Sequence, residues 1–250
     1  VCEKVVKGID IVIHAAGNVG GIGYNREHPG TLFYDNLIMG AQLMEEARKS
    51  GVKKFVAIGT ICAYPKFAHV PFKEDDIWNG YPEETNAPYG IAKKAVMELG
   101  IAYHKQYGLN VTNLVPVNMA GEYDNFDPYS SHVLPALIRK FETIQNHNDS
   151  LFSDDVNWLL PVELWGTGSA SREFLDAKDC ARAIVIALEK DTGPDPINLG
   201  TGNEITIRQL AETVKRIGGY SANIVWNHTK PDGQPRRSLD VSRAKSILRW

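Results

Sequence analysis

Cysteine is scarce in this chain of 250 residues: Cys2, Cys62 and Cys180 are odd in number, far apart, and without CxxC or Cys/His zinc spacing. That argues against a disulfide framework or a structural metal and for a reducing compartment. Charge of one sign is also lacking. Lys and Arg number 27 against 30 Asp and Glu, and they are scattered, so no phosphate-tracking surface for nucleic acid is expected. No apolar run approaches the roughly 18 residues of a membrane helix, and no basic-then-apolar leader opens the chain. The expectation is a cytoplasmic chain with no membrane and no nucleic-acid partner. Internal repeats and low-complexity tracts are absent too. What is present is 43% hydrophobic residues, enough for a full core in one large or two small domains.

The apolar residues are ordered. Asp10 to Ala16 is a short β-branched run that opens into Ala15-Ala16-Gly17, the pattern of a buried parallel strand. Leu32, Phe33, Leu37, Ala41 and Met44 recur at helical spacing between Pro29 and Ser50, and Gly51 stops that helix. Lys54 to Gly59 reads as a strand, Pro88 to Gln106 as a long helix, and Val111 to Val117 as a third strand. Strand and helix alternate, which predicts an α/β fold with a doubly wound parallel sheet. After Asn118 come loops, a helix from His132 to about Phe141 and strands near Leu159 to Leu164. Asp176 to Glu189 reads as a helix and Ile197 to Leu199 as a returning strand. Thr206 to Gly218 is a helix with a Thr206/Gln209 capping box, ended by Gly218. Two interleaved domains follow: 1–118 with 176–200 as a Rossmann-type cofactor domain, and 119–175 with 201–250 as a smaller substrate domain.

Tyr89 and Lys93 stand four residues apart near a helix start, so both project from one face. A Lys ammonium beside a phenol favours the phenolate, and the pair can exchange a proton with a carbonyl or hydroxyl. Lys93 can also bind a ribose hydroxyl. Taken alone, such a pair recurs by chance on any helix surface. Thr60, in Gly59-Thr60-Ile61-Cys62 at the end of the preceding strand, supplies a hydroxyl for the same oxygen.

With Ala15-Ala16-Gly17 ahead of it, this set resembles the extended short-chain dehydrogenase/reductases. Further motifs are similar to the GDP-L-fucose synthase branch nearly end to end. They are Ala15 to Ile22, Cys62-Ala-Tyr-Pro-Lys66, Thr85 to Lys93, Asp124-Asn-Phe126, Ser131 to Arg139, Trp165-Gly-Thr-Gly168, Arg172-Glu-Phe174 and Lys230 to Arg236. The resemblance implies NADPH-dependent 3,5-epimerisation and 4-reduction of GDP-4-keto-6-deoxy-D-mannose, with Thr60, Tyr89, Lys93, Cys62 and His132 as catalytic residues. Epimerisation beside a ketone needs a base on one face and an acid on the other, and Cys62 and His132 suit those tasks. As bland alternatives, Cys62 is a small buried hydrophobe and His132 a helix-start residue.

The resemblance further implies that Ala15, Ala16, Ile58, Gly59, Thr60 and Ile61 line the NADP site. Lys93, Pro116, Val117, Asn118, Met119 and His132 would complete it. Lys140, Trp165, Arg172 and Asp232 would hold the GDP-sugar, and a homodimer through the helices around Leu32 to Met44 and Ile91 to Tyr103 is implied. The glycine-rich dinucleotide loop would precede Asp10, and both ends of the chain look truncated. Thr60 replaces the usual Ser, Asn118-Met-Ala-Gly-Glu122 replaces an Asn-Leu-Tyr-Gly-Pro-like run, and the 141–164 connection is longer than usual. A 4-epimerase, a 4,6-dehydratase, a simple 4-reductase and a non-catalytic dinucleotide-binding scaffold stay open as alternatives.

Overall fold

The short apolar runs Lys54–Ile58 and Val111–Pro116 become strands buried on both faces, because helices cover them from either side. The computed structural model describes residues 1–150, 160–230 and 232–250. In chain order the first half contains α1 (Cys2–Val6), β1 (Ile11–His14), α2 (Ile22–Glu27), α3 (Pro29–Lys49), β2 (Lys54–Ile58), α4 (Ala87–Tyr107), β3 (Val111–Pro116) and β4 (Asn118–Ala120). The second half contains α5 (Val133–Ser150), β5 (Val162–Trp165), β6 (Ser171–Asp176), α6 (Ala177–Leu188), β7 (Ile197–Leu199), β8 (Glu204–Thr206), α7 (Ile207–Gly218), β9 (Ile224–Asn227), β10 (Arg236–Arg237) and α8 (Ser242–Ile247).

β1, β2, β3 and β7 form one parallel sheet in that order, with Ile13 opposite Val56, Val56 opposite Thr112, and Leu114 opposite Ile197. Side chains alternate across a strand, so β2 serves two cores at once. Phe55 and Ala57 face Val6, Met44, Ala47 and Val96 from α1, α3 and α4. Val56 and Ile58 face the opposite side with Cys180, Ala183 and Ala187 of α6 and Ala244 and Leu248 at the chain end. Helices thus cover both sides of the central strands, and the doubly wound parallel sheet is as expected. β1 is an edge strand, with Ile11 and Ile13 each 44% exposed. The expectation that it is buried is corrected: among the described residues it has a strand neighbour on one side only, and one of its faces is uncovered. Residues 239–248 add Leu239, Val241, Ala244 and Leu248 to the core that holds β7. Cys180 behaves as a small hydrophobe, its thiol pushed up to about 11 by burial.

A third core lies between α5, β5, α7 and β9, where Leu137, Phe141, Val162, Leu164, Leu210 and Ala211 meet. A second sheet joins β10, β6 and β4, with β8 antiparallel to β6. Its hub is Glu173, fully buried. One carboxylate oxygen accepts the Gly202 N–H at 2.6 Å, and the other accepts the Ser238 hydroxyl and the Leu239 N–H, each at 2.9 Å. Four donors on one buried carboxylate tie loop 201–202 and strand end 238–239 to β6.

Several element ends differ from the sequence expectation. α5 continues past Phe141 to Ser150, because Ile144 continues its apolar face towards the third core. Leu159, the expected start of the following strand, lies outside the described residues, and that strand begins at Val162. α7 runs through Gly218, and Gly219, left-handed at φ 68°, is the residue that closes it. The Thr206/Gln209 capping box is formed in both directions, at 3.0 and 3.1 Å.

Candidate active site

The C-terminal ends of β1, β2 and β3 open on one side of the sheet, and the expected cofactor residues sit there: Ala15 and Ala16 after β1, Ile58 to Ile61 after β2, and Pro116 to Met119 where β3 passes into β4. Ligands of open parallel sheets bind along such an edge. Thr60 ends the β2 segment and caps a 3-10 turn over Ile61–Ala63, its hydroxyl oxygen accepting the Cys62 N–H at 3.2 Å. α4 starts beside this turn because Gly90 has no side chain. A Cβ there would lie 2.2 Å from the Cys62 carbonyl oxygen. This close approach brings Tyr89 and Lys93 to Thr60 and Cys62.

Tyr89 is 8% exposed and Lys93 is 4% exposed. Burial pushes the Tyr89 phenol well above its ordinary value, negative charge at Cys62 adds to the rise, and the Thr60 hydroxyl pulls the other way. The expectation that Lys93 draws Tyr89 towards phenolate is therefore corrected. Lys93 is itself brought down to about 8 by burial, and its ammonium donates to the Ala16 carbonyl at 3.0 Å. Desolvation disfavours both charged forms, so Tyr89 rests as a neutral phenol, a proton donor aimed at whatever oxygen Thr60 holds.

Three polar residues that sequence reasoning passed over hold this corner. Asn36, fully buried on α3, donates to the carbonyls of Asn18 and Leu32, both at 2.7 Å, while its Oδ1 accepts the Asn18 N–H at 3.1 Å. It fixes the loop after β1 in front of Lys93. The signal was an Asn in the apolar stripe beside Leu32 and Leu37. His14 is buried at the end of β1, and its Nε2 has no partner among the described residues. Burial, then the Lys93 charge, lowers it to about 4, so it is neutral at pH 7. Arg237 donates to the Cys62 Sγ at 3.5 Å.

The expected substrate residues form a trail away from Cys62. Arg172 on β6 is brought down to about 10 by burial and by the charge of Arg237. Its Nη2 lies 3.4 Å from where a Cβ on Gly233 would be, and Ile22 lies 3.7 Å from the same point. Gly21 in turn touches the loop that carries His132: its N–H donates to the Ser130 carbonyl at 2.9 Å. His132 is exposed, immediately ahead of α5. Lys140 and Lys230 hold their ammonium groups 5.9 and 5.4 Å from the Trp165 ring centre, with Lys140 anchored on the Glu163 carbonyl at 2.9 Å. Trp165 is 58% exposed and presents a flat face. Asp232 is occupied by the turn itself, accepting the Thr167 N–H at 2.7 Å and the Thr167 hydroxyl at 2.9 Å. Its place in this structure is to lock Gly166–Thr167 beside Trp165.

A dinucleotide's nicotinamide–ribose end fits these residues. Gly17 is a cradle that a Cβ would fill, 3.3 Å from Asn36 Oδ1 and 3.5 Å from Lys93 Nζ. Among the described residues Lys93 gives one N–H, to Ala16, which leaves two for a ribose. Residues 1–200 match the NAD dependent epimerase/dehydratase family.

The chain belongs to that family.

The GDP-L-fucose synthase of Escherichia coli K12 is 39% identical over 250 residues, covering 96% of this chain and 74% of that protein. GDP-L-fucose synthase 1 of Arabidopsis thaliana is 41% identical over 236 residues, covering 94% and 70%. A GDP-L-colitose synthase of Yersinia pseudotuberculosis is 34% identical over 92% of this chain and 72% of its own length. Among solved structures, a GDP-6-OMe-4-keto-L-xylo-heptose reductase from C. jejuni superposes with a TM-score of 0.86 at 30% identity, covering 96% of this chain and 77% of that one. A GDP-mannoheptose C4 reductase from Campylobacter jejuni, solved with NADP bound, gives 0.83 at 30% identity, covering 96% and 76%.

Proposed function

We propose that this protein converts GDP-4-keto-6-deoxy-D-mannose to GDP-L-fucose, inverting C3 and C5 and then reducing C4 with NADPH. The observation that carries the reading is the placement of a half-buried thiol, Cys62, beside the buried Thr60/Tyr89/Lys93 group, where a simple C4 reductase needs only the latter. NADPH, when bound, supplies the hydride for C4. Lys93, with Ala16 and the Asn36-held loop, orients the ribose. Thr60 and Tyr89 hold the C4 oxygen and stabilise the negative charge that gathers there when a proton leaves C3 or C5. Cys62 takes that proton on one face, and His132 returns one on the other. The neutral phenol of Tyr89 gives its proton to the C4 oxygen during reduction, so one oxygen-binding site serves both reactions.

The interleaved division, with 1–118 and 176–200 on the cofactor side and 119–175 and 201–250 on the substrate side, is part of this proposal, as is pairing of two copies through α3 and α4, whose Tyr34 and Tyr107 are exposed. The colitose and heptose relatives favour a second reading, reduction of another GDP-4-keto sugar. Supplying the natural full-length protein with NADPH and GDP-4-keto-6-deoxy-D-mannose separates the two, with the product's stereochemistry read by NMR. GDP-L-fucose supports the first reading. An uninverted product refutes the epimerase half, and no NADPH consumption refutes this substrate.

A further inference from the structure

Arg237 and Arg172 are register partners on adjacent parallel strands, so their side chains leave the sheet on the same face. Arg237 is 8% exposed. Arg172 is half-buried, and two guanidiniums side by side and partly withdrawn from water are expensive unless something negative completes them. Among the described residues negative charge reaches Arg172 from Cys62, Glu83 and Glu204, but none of it arrives as a carboxylate hydrogen bond. Arg237 gives Nε to the Gln234 amide oxygen at 2.6 Å and Nη1 to the Cys62 thiol at 3.5 Å, and Arg172 gives Nη1 to the Ser171 carbonyl at 2.6 Å. No carboxylate accepts from either. Of the two nearby acids, Glu83 spends its oxygens on the Thr85 and Asn86 N–H groups and the Asn86 amide, and Glu204 accepts the Arg236 fork at 3.1 and 2.8 Å. The Arg237 charge in turn disfavours the charged form of Arg172. Gly233, left-handed at φ 77°, leaves open the space against Arg172 Nη2 that a side chain would fill.

We propose that Arg237 is a second anion-binding guanidinium which, with Arg172, grips a nucleoside diphosphate and makes the cleft select diphosphates over monophosphates. Two planar forks offer paired N–H groups to non-bridging oxygens on both phosphorus atoms, which one fork alone cannot span. Because Arg237 Nη1 is at Cys62, the same side chain sets how far the sugar ring lies from the thiol. The inference rests on the nucleotide-sugar reading above and names the residue that measures its phosphates.

The test is calorimetric binding of GDP and GMP, and of UDP and UMP, to the natural full-length protein saturated with NADP in magnesium-free buffer. The wild type should hold the diphosphate of its preferred base at least about tenfold more tightly than the monophosphate, as expected for two forked contacts. Arg237→Met should weaken the diphosphate by about tenfold or more and leave the monophosphate nearly unchanged, so that the preference collapses. Arg237→Lys should fall between. A diphosphate affinity unchanged in Arg237→Met overturns the proposal, and so does a parallel loss of both affinities, which is the mark of a structural role. If Arg237→Met does not fold, Arg237→Gln faces the same outcomes. Failure of the substrate reading looks different: NADPH is then not consumed with GDP-4-keto-6-deoxy-D-mannose, while the Arg237-dependent preference for the diphosphate persists.

Discussion

Gly90→Ala separates two opposed expectations. By helix propensity alone, alanine in α4 should stabilise the protein by up to about 1 kcal/mol. The structure says the opposite, since the new methyl would lie 2.2 Å from the Cys62 carbonyl oxygen and 2.9 Å from its carbon. Reaching ordinary contact requires the helix and the Thr60–Ala63 turn to part by about 1 Å, and overpacking of this kind costs about 1–3 kcal/mol. The two surfaces that part are those that carry Tyr89 and Lys93 on one side and Thr60 and Cys62 on the other. A misplacement of about 1 Å costs on the order of 100-fold in rate. Thermal unfolding and NADPH oxidation at saturating substrate should therefore show a Tm lower by several degrees and a kcat lower by about two orders of magnitude. Wild-type kcat together with a raised Tm would refute the claim that this contact builds the site.

Three further outcomes follow from buried groups. Lys93 is brought from 10.5 to about 8, so the unfolded chain binds the extra proton between those values and stability rises with pH across that window. Below about 8 Lys93 carries a penalty of roughly 3 kcal/mol, so Lys93→Met should be the more stable protein at pH 7 in urea titrations, with the gap closing towards pH 10.5. His14 is lowered from 6.5 to about 4, so its neutral form contributes stability that is lost as pH falls from 6.5 to 4. His14→Leu should shift the acid-unfolding midpoint, followed by circular dichroism, to lower pH. Glu173→Gln replaces an acceptor with an amide donor facing the Leu239 N–H or the Gly202 N–H. A loss of about 3 kcal/mol is expected in chemical denaturation, whereas a change within about 0.5 kcal/mol would remove Glu173 as the hub of the second sheet.

The parallel sheet was legible because β2 and β3 are short, mostly apolar and β-branched runs alternating with long helical patterns. Both strands are buried on both faces even though Lys54, Thr112 and Asn113 lie in them. Tyr89, Lys93 and Thr60 were legible because their spacing follows from one helix and one strand end. The Arg172/Arg237 juxtaposition was not, since β10 is two residues long and only its register with β6 puts the guanidiniums together. Glu173 reads from sequence as one acid in a polar strand, and its burial depends on loop 201–202 and Ser238 arriving from distant parts of the chain. The direction of the Tyr89 shift was missed for a similar reason. Spacing gives the neighbour Lys93, but the degree of burial that outweighs it is a property of the assembled cleft.

The central claim, that one oxygen-binding site serves both inversion and reduction, is tested most directly by turnover in D2O with protiated NADPH and position-resolved NMR of the product. The account predicts deuterium at C3 and C5 and protium at C4, with Cys62→Ser or His132→Ala suppressing the deuterium. A reduced product that carries no deuterium at either C3 or C5 would contradict it.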